Sequence, residues 1–321
     1  MLESFELYVE SDGGIIMPLT VDGCRWETRR RGAPGKLTFS VVQDGKFNME
    51  KGGAVRLTVN GDNLFFGFGF SKRRDKSPII DVVAYDQMRY LKNKDTYIYT
   101  NKTASDVIRM VASDFNLQLG VIENTSFVIP CRVDDNTALF DVIYNALDLD
   151  LTNTGDLYVF FDDFGKLTLK SLESMKLDLL IDCESGENFD YKSSINDSTY
   201  NRIKLVFENN ETGMRDIYLV QHGENINRWG ILQYYATLQE GESGEAKAHA
   251  LLNLFNAPTR KLRLQNMFGD TRVRAGSMPV IMLDLGDVQL QNHMLVEKCV
   301  HIFRESEHFM DLTMRGGEFV G

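Results

Sequence analysis

The sequence predicts an α+β chain, mainly β. It has a strand-rich unit at each end (residues 1–98 and 186–321), a small acidic α/β unit between them (residues 99–185), and one helix, 243–256, inserted in the last unit. Three observations carry this. Apolar residues alternate with polar ones toward both ends, as in Val55, Leu57 and Val59 and again in Met310, Leu312 and Met314, which is the period of a half-buried strand. The middle stretch instead repeats at helical spacing, with Val107, Ile108, Val111, Ala112 and Phe115 on one face. Charge divides the same way: residues 96–184 carry 15 acidic and 6 basic groups in a chain whose net charge is −11. A length of 321 residues suits two or three domains, and 43% hydrophobic content excludes disorder as the main state.

In the first unit the strand around Val55–Val59 ends at Asn60-Gly61-Asp62, a hairpin turn because Asn and Gly accept positive φ. The next strand, Leu64 to Phe70, feeds the basic run Lys72 to Lys76, and Pro78 to Tyr85 returns as a strand. Asp86 to Leu91 then reads as a short helical cap. In the middle unit Thr103 and Asp106 form a capping box with Asp in place of Glu. A second helix starts near Asn136, with Leu139, Val142, Ile143, Ala146 and Leu147 as its stripe. Leu157–Phe161 and Lys166–Leu169 flank Asp162-Asp163-Phe164-Gly165 as a hairpin. In the last unit Ile203, Leu205 and Phe207 alternate as a strand. Ser243 caps the inserted helix, whose inward residues are expected to be Ala246, Ala250, Leu251, Leu254 and Phe255.

Composition narrows the function. The acidic balance argues against a nucleic-acid binder that relies on phosphate attraction. Acids at Glu3 and Glu6 stand where a signal peptide needs a basic region, and the longest apolar run, Leu64 to Phe70, is far short of a membrane span, so a soluble cytosolic chain is expected. Cys24, Cys131, Cys183 and Cys299 form no CxxC pair and read as reduced, buried thiols. Gly67-Phe68-Gly69 lacks the third glycine of a dinucleotide loop, and Gly241-Glu242-Ser243-Gly244 misplaces the serine of a nucleophile elbow.

Three constellations invite chemistry. In the cluster Cys299, His301, Glu305 and His308, the last three would share a helix face at metal-ligand spacing. The flanking Val300, Ile302, Phe303, Phe309 and Leu312 read instead as a hairpin around Arg304 to Glu307, in which His301 and His308 face each other beside Cys299; a structural hairpin is favoured over zinc. The acid pairs Asp134/Asp135, Asp148/Asp150 and Asp162/Asp163 suggest a glycosidase but sit where capping, solvation and turns use carboxylates. Arg29-Arg30-Arg31 and Lys72 to Lys76 read as solvated loops or as a subunit contact with an acidic surface. No catalytic, cofactor-binding or metal set emerges, and no enzyme activity or cofactor is expected.

Four segments, Tyr85–Asn93, Thr103–Ile108, Gly223–Gly230 and Gly269–Gly276, occur in one order along the chain. Together they resemble the XkdQ-type, PBSX-like baseplate hub proteins of contractile phage tails and tail-like bacteriocins. The resemblance covers nearly the whole chain and rests on order and spacing rather than on any one chemical motif. It implies two tube-like β-barrel domains flanking the acidic unit, and a trimeric symmetry adaptor joining a central spike to a hexameric tail tube and starting tube assembly. It implies as partners two further copies, a trimeric spike, the tube protein, other baseplate proteins and a tape-measure protein, with neither specific nucleic-acid binding nor membrane insertion. Assembly would occur in the bacterial cytoplasm, and the product would reside in a virion baseplate or a released tail-like particle. The rival readings are a tail-associated cell-wall hydrolase and a tube or tail-tip subunit of a non-contractile tail.

Overall fold

Period-two alternation builds most of the chain into strands, and the computed structural model describes residues 2–316 apart from 46, 183–185, 197, 209–212, 239–241, 285–288 and 305. The first part holds β1 (Phe5–Ser11), β2 (Gly14–Ile16), β3 (Thr20–Arg29), β4 (Lys36–Val42), β5 (Ala54–Val59), β6 (Asp62–Arg74) and β7 (Ile79–Tyr85). Asn60 and Gly61, at φ 50° and 84°, make the predicted turn between β5 and β6. β6 runs on to Arg74, so much of the basic run Lys72 to Lys76 is strand rather than loop.

A 3-10 turn, Gln87–Lys92, is capped by Asp86 as expected. It leads to β8 (Lys94–Lys102), α1 (Ala104–Asp114), β9 (Leu119–Ile122), β10 (Ile129–Ala138), α2 (Leu139–Thr154), β11 (Tyr158–Asp162) and β12 (Leu167–Ser171). α1 carries the Thr103–Asp106 capping box and buries Val107, Ile108, Val111 and Ala112 against Leu139, Val142, Ile143 and Ala146 of α2. β10 continues through the position expected for the start of the second helix, so Asp134 and Asp135 lie on a strand and cap nothing. α2 likewise extends beyond Asp148 and Asp150 to Thr154.

The remainder supplies β13 (Lys176–Asp182), β14 (Asn188–Ser194), β15 (Arg202–Glu208), β16 (Arg215–Gln221), α3 (Gly223–Trp229), β17 (Gln233–Thr237), α4 (Gly244–Phe255), β18 (Thr259–Phe268), β19 (Met278–Asp284), β20 (Gln289–His293), β21 (Leu295–Arg304) and β22 (Glu307–Gly316). α4, capped by Ser243, lays Ala248, Leu251, Leu252 and Phe255 on the small sheet β16-β15-β17. Ala246, Ala250 and Leu254 do not face that core; they line a 690 Å³ cleft toward the end of α2. Helical periodicity sees an apolar stripe, but only the neighbours decide which part of it is covered.

Strands from both ends of the chain share one eleven-stranded sheet, ordered β14-β18-β22-β21-β3-β4-β7-β6-β5-β1-β2. Each neighbour is antiparallel, and the seam between the end units is β21 on β3, with His301 opposite Trp26 and Cys299 opposite Thr28. No ladder among the described residues closes into a barrel. Two four-stranded sets stand side by side, β14-β18-β22-β21 and β3-β4-β7-β6. Numbered along the chain with β5 left aside, each set has the order 1-2-4-3, so the two ends share a topology that no alignable repeat betrays.

Of the predicted buried thiols, Cys24 and Cys299 are buried, whereas Cys131 is exposed. β10 belongs to a two-stranded sheet with β8, and Cys131 lies on the side that no third layer covers. Cys183 lies outside the described residues.

Candidate functional site

Asp86, Gln87, Asp162 and Arg274, which come from three separate stretches, meet beside the β21–β3 seam. Asp86 is buried because the turn it caps folds back onto the sheet; its carboxylate accepts the N–H groups of Gly35 at 2.7 Å and Met88 at 3.0 Å. The Gln87 amide donates to the carbonyls of Gly165 at 2.8 Å and Gln118 at 3.0 Å, and its Oε1 accepts the Gln118 N–H at 3.0 Å. One side chain thus ties the first part to the β11–β12 hairpin of the middle unit.

Asp162 ends β11 and accepts the Gly165 N–H at 2.7 Å in a turn whose Phe164 and Gly165 have φ of 49° and 81°. Arg274 reaches in from the Gly269–Gly276 segment, donates to the Asp162 carbonyl at 2.7 Å, and lies 4.1 Å over the Phe161 ring and 5.9 Å from that of Trp26. Asp162 Oδ2 and Arg274 Nε are shut from solvent without a hydrogen-bond partner. Burial pushes the Asp162 carboxyl up to about 6, against the pull of the Gly165 N–H and of Arg274. Burial, and then the charge of Asp162, holds Asp86 well above the usual carboxylate range. Burial also lowers the Arg274 guanidinium, opposed by Asp163, Asp162 and Asp86. Two carboxyls and one guanidinium, nearly all spent on backbone groups of distant segments, make a clamp rather than a reactive centre.

The His301 ring also stacks on Trp26, at 5.0 Å and 17°. The predicted hairpin is there, and Cys299, His301 and His308 do come together on its buried side. His301 Nε2 lies 2.7 Å from the Val273 carbonyl and 3.2 Å from Cys299 Sγ, and His301 Nδ1 lies 2.8 Å from His308 Nε2. A carbonyl only accepts, so Nε2 of His301 carries its proton and the bare Nδ1 accepts from His308. A second proton on His301 would meet the N–H of His308. Burial first, and then that neighbour, therefore lowers His301 to about 3, while burial lowers His308 to about 4. Burial raises the Cys299 thiol far above its ordinary value. With the ring nitrogens that meet bonded to each other and to Val273, no group of three His, Cys, Asp or Glu among the described residues is placed to hold a metal ion. Glu305 lies outside the described residues.

The remaining candidates find partners within the chain. Arg31 makes a two-pronged contact with Asp148 at 2.8 and 2.7 Å, Arg30 bonds Glu297 at 2.8 Å, and Arg29 bonds Glu27 at 2.7 Å. The arginine run is thus neither a solvated loop nor, in these contacts, a subunit contact: it links β3 to α2 and β21. Asp134 pairs with Arg132 at 2.9 Å, and Asp150 is buried on the Phe127 N–H at 2.7 Å. Of the three acid pairs only Asp162 joins the clamp, and its sequence signal was a turn. What could have revealed Arg274 was its place in the Gly269–Gly276 segment, beside the glycine on which close approach depends. Gly276 has φ 96°, and a Cβ there would stand 2.2 Å from Val159 Cγ1. Gly276→Ala is therefore expected to cost at least about 2 kcal/mol, read as a shift of the urea midpoint.

Against known proteins, the model of the YQBQ-like family matches residues 24–315. The phage-like element PBSX protein XkdQ of Bacillus subtilis (strain 168) is 27% identical over 321 residues, 96% of each chain. The prophage MuSo2 43 kDa tail protein from Shewanella oneidensis superposes with a TM-score of 0.70 at 11% identity, over 96% of this chain and 98% of that one. The E. coli c3393 protein, described as a component of the type VI secretion system with structural similarity to the T4 bacteriophage tail proteins gp27 and gp5, gives 0.56 at 11% identity, over 98% and 78%. At these identities the structures share the fold with this chain.

Proposed function

The chain belongs to the YQBQ-like family, and from that premise we propose that it is the non-enzymatic structural hub of a phage-tail or tail-like baseplate. In this reading three copies form a ring that takes a trimeric spike on its threefold axis and seeds a hexameric tube on its other side. Residues 1–98 and 186–321 are the two tube-like domains, and residues 99–185 the unit clamped between them.

The carrying observation is the eleven-stranded sheet. Its two four-stranded sets share one order, so three copies would present six similar sets, which a sixfold tube can match. Besides short β2 at its far end, the sheet offers two open edges: β14 has no strand on its outer side, and β5 leaves β6 after Phe68, exposing Ser71 to Arg74. Seven antiparallel pairings separate these edges, so β14 and β6 run in opposite directions. A second copy, turned about an axis along the strands, would bring its β14 antiparallel to β6 and continue the ladder. XkdQ as a PBSX protein and the likeness of the fold to prophage tail proteins support the same assembly.

The test is the native mass of the chain alone and with a trimeric spike protein. Three copies of 36.6 kDa, about 110 kDa, with a ring in top view are expected. In a Cys131→Ser background, Ser71→Cys combined with Ser193→Cys should cross-link into closed trimers with a bismaleimide, while either cysteine alone should not. A monomer in both mixtures would overturn the hub reading.

A further inference from the structure

The small sheet β16-β15-β17 carries apolar side chains on both faces. Ile203, Leu205, Tyr218 and Tyr234 turn toward α4, which lays Ala248, Leu251 and Phe255 on them. The period of a strand turns the intervening residues to the opposite face. There the register sets Leu219, Lys204 and Tyr235 in one cross-strand row, with Ile217 and Val206 in the next. Ile217, Leu219 and Tyr235 are 56%, 53% and 54% exposed, so more than half of each side chain stays in water.

Lys204 stands at the centre of this face, between Leu219 and Tyr235, and has no ion-pair or hydrogen-bond partner among the described residues. One row toward α3, Arg202 spends its Nε on the neutral Gln221 Oε1 at 2.9 Å. Two rows the other way, Glu208 is taken by Arg215. Exposed apolar groups thus surround a positive charge that no carboxylate among the described residues neutralises.

We infer that this face binds an amphipathic helix of another polypeptide, one with a carboxylate at the centre of its apolar stripe. A sheet that is apolar on both faces is stable when each face meets another layer, and α4 shows that a helix fits this one. Three strands span about 10 Å, the width of a helix, and side chains four apart on a helix rise about 6 Å, close to the spacing of rows along a strand. Ile217, Leu219 and Tyr235 would meet the apolar stripe, and Lys204 would meet the carboxylate, which is where complementarity of charge selects the partner. Two copies of this same face fit less well, because pairing them about a twofold axis would set Lys204 against Lys204. The inference does not depend on ring formation, since the whole face belongs to one copy.

The experiment uses two labelled helical peptides of 18 residues, alike except for Glu or Lys at the centre of a leucine stripe. Each is titrated with the full chain by fluorescence anisotropy, and native mass is recorded on the same samples. The Glu peptide is expected to bind at least about fivefold tighter than the Lys peptide, and Lys204→Glu should reverse that order. Leu219→Thr/Tyr235→Thr should weaken the Glu peptide at least about tenfold. Both side chains are more than half exposed and threonine suits a strand, so circular dichroism should be unchanged. Ile98→Thr/Val133→Thr, which removes an exposed apolar pair from β8 and β10, should change affinity less than about twofold. The inference is overturned by no binding, by equal affinity for the two peptides, by an order that survives Lys204→Glu, or by equal loss with both double variants. Self-association that Lys204→Glu abolishes would assign the face to a second copy and overturn it as well. Because binding and mass are read separately, a monomer that binds the Glu peptide would retire the ring and leave this site.

Discussion

Arg274→Met is expected to lower stability by about 3 kcal/mol at neutral pH, the largest single effect in the molecule. The substitution removes the guanidinium that lies over Phe161 and leaves Asp86 and Asp162 buried without its positive charge. Breaking a buried charge set from one side is costly because the two carboxyls, left with only the N–H groups of Gly35, Met88 and Gly165, can neither return to water nor find another cation. Asp162→Asn should cost less, since its carboxyl already titrates near 6 and its Oδ2 makes no hydrogen bond. In the double variant Arg274→Met/Asp162→Asn, at least about 1 kcal/mol should be recovered relative to the sum of the singles. Urea unfolding of the four proteins measures this. Strict additivity would show that the guanidinium and the carboxylate do not interact.

The second large effect is on pH. His301 and His308 are held neutral, at about 3 and about 4 against an ordinary 6.5, so the unfolded chain binds more protons than the folded one below 6.5. Their contribution is complete above pH 6.5 and drains away as pH falls toward 4. Asp162 acts with the opposite sign: a carboxyl raised from 3.8 to about 6 makes the folded chain bind more protons in that window, so its cost is relieved by acid. The wild-type slope is the difference of the two. His301→Met/His308→Leu, destabilised at pH 7 by loss of the bond to Val273, should regain about 5 kcal/mol relative to the wild type by pH 4.5, about half from each ring. Asp162→Asn should lose stability more steeply than the wild type over the same range. Parallel pH profiles for all three proteins would sink this account of the histidine pair.

Much of the fold was legible locally. The Thr103–Asp106 box, the Asn60-Gly61 turn, the Asp86 cap and the β21–β22 hairpin each depend on residues a few positions apart, and all four form as read. The errors have one origin. Asp134 and Asp135 read as a helix start because a carboxylate before an apolar stripe is a cap, but pairing with β8 carries the strand to Ala138. Period alone places Ala246 and Ala250 in the core, while the sheet they would cover lies under a neighbouring stripe.

By itself the sequence determined the strand and helix periods, the turns, the acidic balance of residues 96–184 and the family that residues 24–315 match. Only the tertiary structure decided that β21 lies on β3, that Asp162 and Arg274 share a buried site with Asp86, and that Arg29 to Arg31 are used within the chain. Periodicity, caps and turns arise from interactions within one or two turns of chain, whereas burial and charge depend on segments as far apart in sequence as Cys24 and Phe303. A carboxylate in a turn and a carboxylate in a clamp look alike until the residues that desolvate it are in place.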